Sequence, residues 1–324
     1  MSYAPPGSTT QTPSLQHLAS VYYDRTALTQ LMARFYFAQC CNDKPMPLNS
    51  GKTIQFYRVG LPSFNTQPAS EGYIPNPVPE ASTTIRATVE EYSDFMSTSA
   101  LLKETDISDV QTRMVEELSY RGAGSVDTII RQEIDSNASS LFPTAGTNIS
   151  AVDFRAQNAR LRGINARPFA DGYLRGVIHP FITYDLTVDN TAGGFIDLMK
   201  YTQGPSVIDG SKMSGFNGEV GMIGGVRLME STNVSVSGSS PSALYSTYIF
   251  ANEAVGIVDL AGKGPSRITD PQNERFRVNI VPGGPSLADP TGTIGGIVSY
   301  RYVFAAKTLD PNRIRIIQAD ASLV

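Results

Sequence analysis

From Asp106 to Asn137 the apolar positions recur with a helical period: Val110, Met114 and Leu118, then Val126, Ile129, Ile130 and Ile134. That spacing predicts a long amphipathic helix with one buried stripe. Its other faces carry Glu116, Glu117, Arg121, Arg131, Gln132 and Glu133, and Glu117 precedes Arg121 by four residues, the favourable order for an ion pair along a helix. Asp106 or Ser108 is the candidate cap, and Asp106 and Asp109 suit the positive end of the helix dipole. At about 1.5 Å per residue such a helix spans about 45 Å, longer than a compact domain of this size needs. Gly122 and Gly124 each cost about 1 kcal/mol relative to alanine, and mark a bend, a close contact or a break.

Elsewhere the period changes. Residues 1–13, rich in Pro, Ser and Thr, predict a flexible or partner-ordered arm. Ser14 to Gln39 reads as a helix with Val21, Leu28, Leu31, Met32 and Phe35 on one face. Lys52 to Val59 and Thr83 to Phe95 alternate apolar and polar, predicting strands. Between them, residues 60–82 hold Pro62, Pro68, Pro75, Pro77 and Pro79 and almost nothing to build a core. Two readings are open: a disordered hairpin tip, or a two-stranded arm lying on another subunit, since an isolated ribbon is marginally stable. Leu141–Ile149 reads as a loop, and Ala151–Arg162 as a helix capped by Ser150 and Asp153. Asp171–His179 reads as a strand, and Phe181–Val188 and Phe195–Tyr201 as short helices. Tyr245–Phe250, Val255–Leu260, Ile294–Ala306 and Arg313–Gln318 read as strands, with Thr269–Asp289 irregular and Leu309–Asn312 a turn. Helices and scattered strands without a βαβ rhythm predict an α+β fold.

Composition adds little chemistry. Charged residues make up only 17% of the 324, below the usual quarter, which suits a surface partly covered by partners. The net charge of −4 and pI near 5.3 argue against a general nucleic-acid binder. No apolar run reaches the ~20 residues of a membrane helix, and the N-terminal segment has no secretory pattern. Cys40 and Cys41, adjacent and without nearby histidine, suit two small packed thiols rather than a bridge or a metal site.

Gly51-Lys52-Thr53 invites a phosphate-loop reading, but the first glycine of that motif would fall at Met46 and a strand follows. The run Gly218–Gly225 lacks strand-to-helix context, so its glycines predict loop geometry. His179 could pair with Asp185, yet no nucleophile elbow is present. Glu90-Glu91 and Glu116-Glu117 are adjacent and do not converge. No catalytic, cofactor-binding or metal-ligating residue is therefore predicted.

The order of parts resembles the major capsid protein of tailed bacteriophages, the fold shared with herpesvirus capsid floors. The stretches that carry the likeness are 44–54 (Lys-Pro-Met-Pro-Leu-Asn-Ser-Gly-Lys-Thr-Ile), Asp171-Gly172-Tyr173 through Val177-Ile178-His179-Pro180, Tyr184-Asp185-Leu186, Gly218–Gly221 through Gly225-Val226-Arg227, and Ala305-Ala306-Lys307. They are similar to a podovirus-type subfamily, over about residues 20–318. The resemblance implies an N-terminal arm (1–50), an extended β-hairpin loop (51–100), a peripheral domain with the spine helix (101–149), an axial domain (150–290) and C-terminal strands (291–324) returning to the peripheral domain. It implies self-assembly into an icosahedral virion shell around double-stranded DNA, through hexamers and pentamers. Expected partners are a separate scaffolding protein, a portal and decoration proteins, with no membrane, no cofactor and no enzymatic activity. Residues 53–102 contain no lysine, so no covalent mesh through this loop is expected. A cellular nanocompartment shell of the same fold, or a hydrolase, are the alternatives.

Overall fold

The computed structural model of the chain describes residues 36–47, 50–60, 64–66, 68, 71–72, 79–105, 110–138, 141–188, 219–238, 243–259, 277–285 and 289–323. In chain order a 3-10 turn (Phe37–Cys40) leads to β1 (Asn42–Asp43), β2 (Thr53–Val59), β3 (Ser82–Thr88), β4 (Glu90–Ser99), α1 (Ala100–Thr105) and α2 (Val110–Asn137). Then follow β5 (Leu141–Asn148), α3 (Ala151–Gly163), β6 (Leu174–Ile178), α4 (Pro180–Val188), β7 (Glu219–Ile223), β8 (Val226–Glu230) and β9 (Val236–Ser237). The chain closes with β10 (Leu244–Phe250), β11 (Val255–Asp259), β12 (Arg277–Pro282), β13 (Ile294–Thr308), a 3-10 turn (Pro311–Arg313) and β14 (Ile314–Asp320). The predicted helix Phe195–Tyr201 lies outside the described residues, as does that of Ser14–Gln39 apart from its last four residues.

Helix α2 is the predicted spine. It runs unbroken for 28 residues, through Gly122 and Gly124. The apolar stripe is buried as its spacing requires: Met114, Leu118, Val126, Ile130 and Ile134 are all within 5% of full burial. Arg121, predicted to pair with Glu117, instead reaches Asp94 of β4 at 2.9 Å.

The helix touches two sheets. In the first, β13 lies at the centre, with β4 antiparallel on one edge and β12 and β11 on the other; the short β1 extends it in parallel from β11. The second is mixed, in the order β5-β14-β10-β6-β8-β7, with β9 on β10. The hydroxyls of Ser125 and Tyr302 (β13) lie 2.5 Å apart, joining the spine to the first sheet. The Tyr248 hydroxyl (β10) donates to Asp135 at 2.7 Å, joining it to the second. Tyr248, Phe250 and Phe37 pack edge to face or stacked beneath it.

Three expectations are corrected. Thr83–Phe95 is not one strand: it divides at Val89 into β3, which pairs with β2, and β4, which pairs with β13. Leu141–Ile149 is not a loop, because Leu141–Asn148 pairs in parallel with β14. Thr269–Asp289 is not wholly irregular, since Arg277–Pro282 pairs with β13. The glycine-rich run closes a hairpin: Ile223 faces Val226 across Gly224 and Gly225, both at positive φ as a two-residue type I′ turn demands. The other predicted elements that fall among the described residues stand within a few residues of their expected bounds. Asp153 accepts from both the Ser150 N–H and hydroxyl at 2.9 Å, fixing the start of α3.

Candidate functional site: the hairpin, its root and the spine

Strands β2 and β3 form a sheet of their own, a two-stranded ribbon in register from Thr53/Thr88 to Val59/Ser82. The insertion of residues 60–82, on which the two readings of this region differ, lies largely outside the described residues. Only its root has a core. Ile54 and Phe56 pack on a small cluster of Met46, Ala87, Val89, Val258 and Ala305, separate from the main core. Farther out, Tyr57, Val59 and Phe64 are 72%, 59% and 91% exposed. Burying such side chains is worth about 1.5–3 kcal/mol each, so the described outer ribbon leaves much apolar area without a covering surface. Beyond its root the ribbon also ties to its own chain through one ion pair. Arg58 pairs with Asp310 at 3.2 Å.

Asp310 sits where the chain crosses between the sheets. Strand β11 leaves the second sheet for the first at Ala251–Ala254, and β14 leaves the first for the second at Leu309–Arg313. The two crossings are laced together. Ala251 donates to the Arg313 carbonyl and Leu309 to the Ala254 carbonyl. The Arg313 guanidinium donates to the Asn252 carbonyl and pairs with Glu253 and Asp310. Hairpin and crossing are thus joined through Arg58, Asp310, Arg313 and Glu253.

The spine carries a second set of anchors, spaced a turn apart. Asp127, 2% exposed, accepts from the Phe37 N–H and from the Asn233 amide, both at 2.9 Å. Arg131 donates to the Val234 carbonyl at 3.2 Å, and Asp135 takes the Tyr248 hydroxyl. Burial raises the Asp127 carboxyl from 3.8 to about 6, against the lowering effect of those donors and of Arg131. No motif marks Asp127 in the sequence. Its signal is an acid lodged between Val126 and Ile130 in the buried stripe, with a cation one turn later.

A groove of about 460 Å³ lies between the hairpin root, the spine and β13, with Arg86, Glu90, Glu133 and Lys307 on its walls. Glu133 and Lys307 pair there at 2.9 Å.

The residues weighed for catalysis are dispersed. His179 accepts from the Phe181 N–H at its Nδ1 and stacks against Tyr245, with ring centroids 4.5 Å apart. Burial lowers its pKa, favouring the neutral ring. Asp185 does not turn to it; its carboxylate takes the Ser322 N–H and hydroxyl. Burial pushes the Cys40 thiol up to about 12 and raises Cys41 as well, which suppresses thiolate chemistry. Gly51 turns into β2 rather than a helix. Glu91 pairs with Arg301 on the open face of the first sheet. Among the described residues no group of three His, Cys, Asp or Glu could hold a metal ion.

No protein-family model and no curated protein sequence matches the chain. Solved structures do. The "Capsid structure of the Cyanophage P-SCSP1u" aligns with a TM-score of 0.65 at 14% identity, over 98% of this chain and 97% of that one. The capsid of Ralstonia phage GP4 aligns at 0.65 and 13% identity, over 97% and 99%. The acidic stable capsid of Helicobacter pylori bacteriophage KHP30 aligns at 0.69 and 10%, over 97% and 98%. The chain has the phage-capsid fold. In that fold the α+β class and the likeness to tailed-phage capsid proteins both stand, over nearly the whole length of each chain compared. At 8–14% identity it is the path of the chain that is shared, while the side chains that fill the phage-capsid fold here are this sequence's own.

Proposed function

We propose that this chain is the structural subunit of a bacteriophage capsid, self-assembling through hexamers and pentamers into an icosahedral shell that encloses double-stranded DNA. The observation that carries this is the ribbon of β2 and β3, which has a core only at its root and leaves Tyr57 and Val59, and Phe64 beyond its end, exposed. Such a ribbon is marginal by itself and is stabilised by lying on a neighbouring copy. Permanent contacts of this kind bury more than ~2,000 Å² in total. The phage-capsid fold supports the reading over nearly the full chain.

In this reading residues 1–50 are the N-terminal arm, 51–100 the extended loop, 101–149 the peripheral domain, 150–290 the axial domain and 291–324 the returning strands. The role is structural and not enzymatic. A separate scaffolding protein directs assembly in the host cytoplasm, a portal occupies one vertex, and decoration proteins are further partners in the virion. With no lysine in residues 53–102, the loop does not crosslink its neighbours.

Deleting residues 62–82 tests the reading. The expected product is a folded, soluble monomer that forms no closed particles in sedimentation or negative-stain microscopy. Normal particles from the deletion would refute the assignment. Nucleic acid extracted from wild-type particles supports the virion reading, whereas an enclosed enzyme supports a nanocompartment.

A further inference from the structure

The ribbon is held to its own chain in two different ways. Ile54 is paired with Ala87, Phe56 with Ile85 and Arg58 with Thr83, so these six residues share one face of the ribbon. Ile54, Ala87 and Phe56 belong to the small root cluster with Val258 and Ala305 of the first sheet, and that apolar hold ends at Phe56. One rung farther, about 7 Å along the strand, the same face carries Arg58 in place of an apolar group. Residues 57–60 are all exposed. The hold at this level is ionic: the Arg58 guanidinium meets Asp310 Oδ1 at 3.2 Å, with the two side chains 45% and 12% exposed.

Asp310 has further partners. Its Oδ1 also accepts from the Asn312 N–H at 3.1 Å, and its Oδ2 meets the Arg313 Nε at 3.2 Å. Arg313 in turn reaches Glu253 and the Asn252 carbonyl, both at 3.0 Å. Glu253 stands at φ 58, a left-handed conformation that such a residue keeps only where its surroundings hold it. Here they do so twice: Arg313 pairs with its carboxylate, and Asn252 Oδ1 accepts its N–H at 2.9 Å. Arg58, Asp310, Arg313 and Glu253 thus form one row of alternating charge, running from the ribbon to the strained turn in the seam between the sheets.

Two physical points set the sign of the coupling along this row. Arg58 and Arg313 use different oxygens of Asp310, so neither displaces the other, and each fixes the carboxylate plane that the other requires. Every neighbouring pair in the row is attractive, and the four charges sum to zero. At the ribbon end the ion pair is half exposed, hence weak and screened by salt, so it opens while the apolar root stays seated.

We propose that Arg58 and Asp310 form a latch that transmits the position of the ribbon to the seam. With the latch closed, the ribbon lies against its own chain, and Asp310, Arg313 and Glu253 are held in line. With it open, the ribbon pivots about the Ile54–Phe56 root, and the turn at Glu253 loses part of its support. A partner that lifts the ribbon therefore loosens the seam, and by linkage a loosened seam releases the ribbon more easily. The latch stands on contacts within one chain and is independent of the capsid reading.

Hydrogen exchange of the full chain tests it. Arg58→Gln removes the charge and is expected to speed exchange about two- to fivefold, both in the ribbon at residues 57–59 and 82–84 and in the seam at 251–254 and 309–313. Glu253→Gln, at the far end of the row, is expected to speed exchange in the ribbon as well, because the coupling is reciprocal. Arg58→Lys keeps the charge and is expected to stay near the wild type. Raising the salt from about 0.05 M to about 1 M, where the screening length is about 3 Å, is expected to erase most of the difference between the wild type and Arg58→Gln. Amides of the spine from 126 to 134 are expected to keep their protection throughout. Faster exchange confined to the ribbon in Arg58→Gln would reduce the pair to a surface contact and overturn the latch. Slower exchange in the seam would overturn it too, since that is the result of two guanidinium groups competing for one carboxylate. If a variant also loses protection in the spine, the salt series of the wild type decides: ribbon and seam must respond together, and a response of one alone refutes the coupling.

Discussion

Asp127 shows how one side chain can hold distant segments at a cost. Its carboxylate takes the Phe37 N–H from the start of the described chain and the Asn233 amide from the β8–β9 connection. Both bonds require acceptors, so the charged form suits the geometry even though burial opposes it. Because the folded pKa, about 6, lies above the ordinary 3.8, the folded state binds more protons than the unfolded one between those values. The contribution of this group is therefore most favourable below pH 4 and is lost as pH rises through 6, a change of about 3 kcal/mol. Asp127→Asn removes that dependence. In melting experiments from pH 4 to pH 7 the variant is expected to gain on the wild type as pH rises, levelling above 6; parallel curves would contradict the assignment. Tyr248→Phe leaves the ring packing against Phe37 and Phe250 and deletes the bond to Asp135, for an expected loss of about 1.5 kcal/mol in denaturant unfolding.

At the scale of elements, the spine is held by its stripe. Ile130 is fully buried, and Ile130→Ala is expected to cost 2–5 kcal/mol, read as a lower midpoint with an unchanged denaturant slope. Strand β13 meets a different constraint where β12 and α1 converge on its start. A Cβ on Gly283 would lie 2.3 Å from the backbone of Ile294 and Gly295, and neither neighbour is a flexible side chain. Gly283→Ala is expected to release the bond from the Gly283 N–H to the Gly295 carbonyl and to speed hydrogen exchange across residues 280–283, leaving β14 protected.

These elements differ in how far the sequence displays them. The spine was legible because five of its seven stripe residues are buried where a period near 3.6 places them. The ribbon was legible from alternation, but its end was not. Apolar residues fall at Ile85, Ala87 and Val89 and then, after Glu90 and Glu91, at Tyr92 and Phe95, while the partner changes from β2 to β13 at Val89, and local pattern carries no partner identity. Strand β5 was hidden by Pro143 and Gly146, ordinary loop signals, and its partner β14 lies more than 160 residues away. Strand β12 was masked in the same way by flanking prolines and glycines. At the candidate site, the exposed apolar hairpin was readable from its prolines, whereas the Arg58–Asp310 tie joins residues 252 positions apart in the chain and left no trace in the pattern.

Across the whole molecule, two chain passes connect the sheets at the same place. Neighbouring strands that look like hairpins in the sequence, β10 with β11 and β13 with β14, belong to different sheets, and their linking residues bond to each other. Two straps bonded side by side mark one line between the sheets, while the shared core and the spine hold the sheets together elsewhere. Glu253 and Asp310 grip Arg313 across that line, and Arg58 extends the grip to the ribbon. Weakening the grip with Glu253→Gln is expected to loosen residues 251–254 and 309–313 together in hydrogen exchange. If copies of this chain close a shell as proposed, each must sit at vertices and on flat facets alike, and the laced seam at residues 251–254 and 309–313 is the line along which a difference in angle between copies is expected.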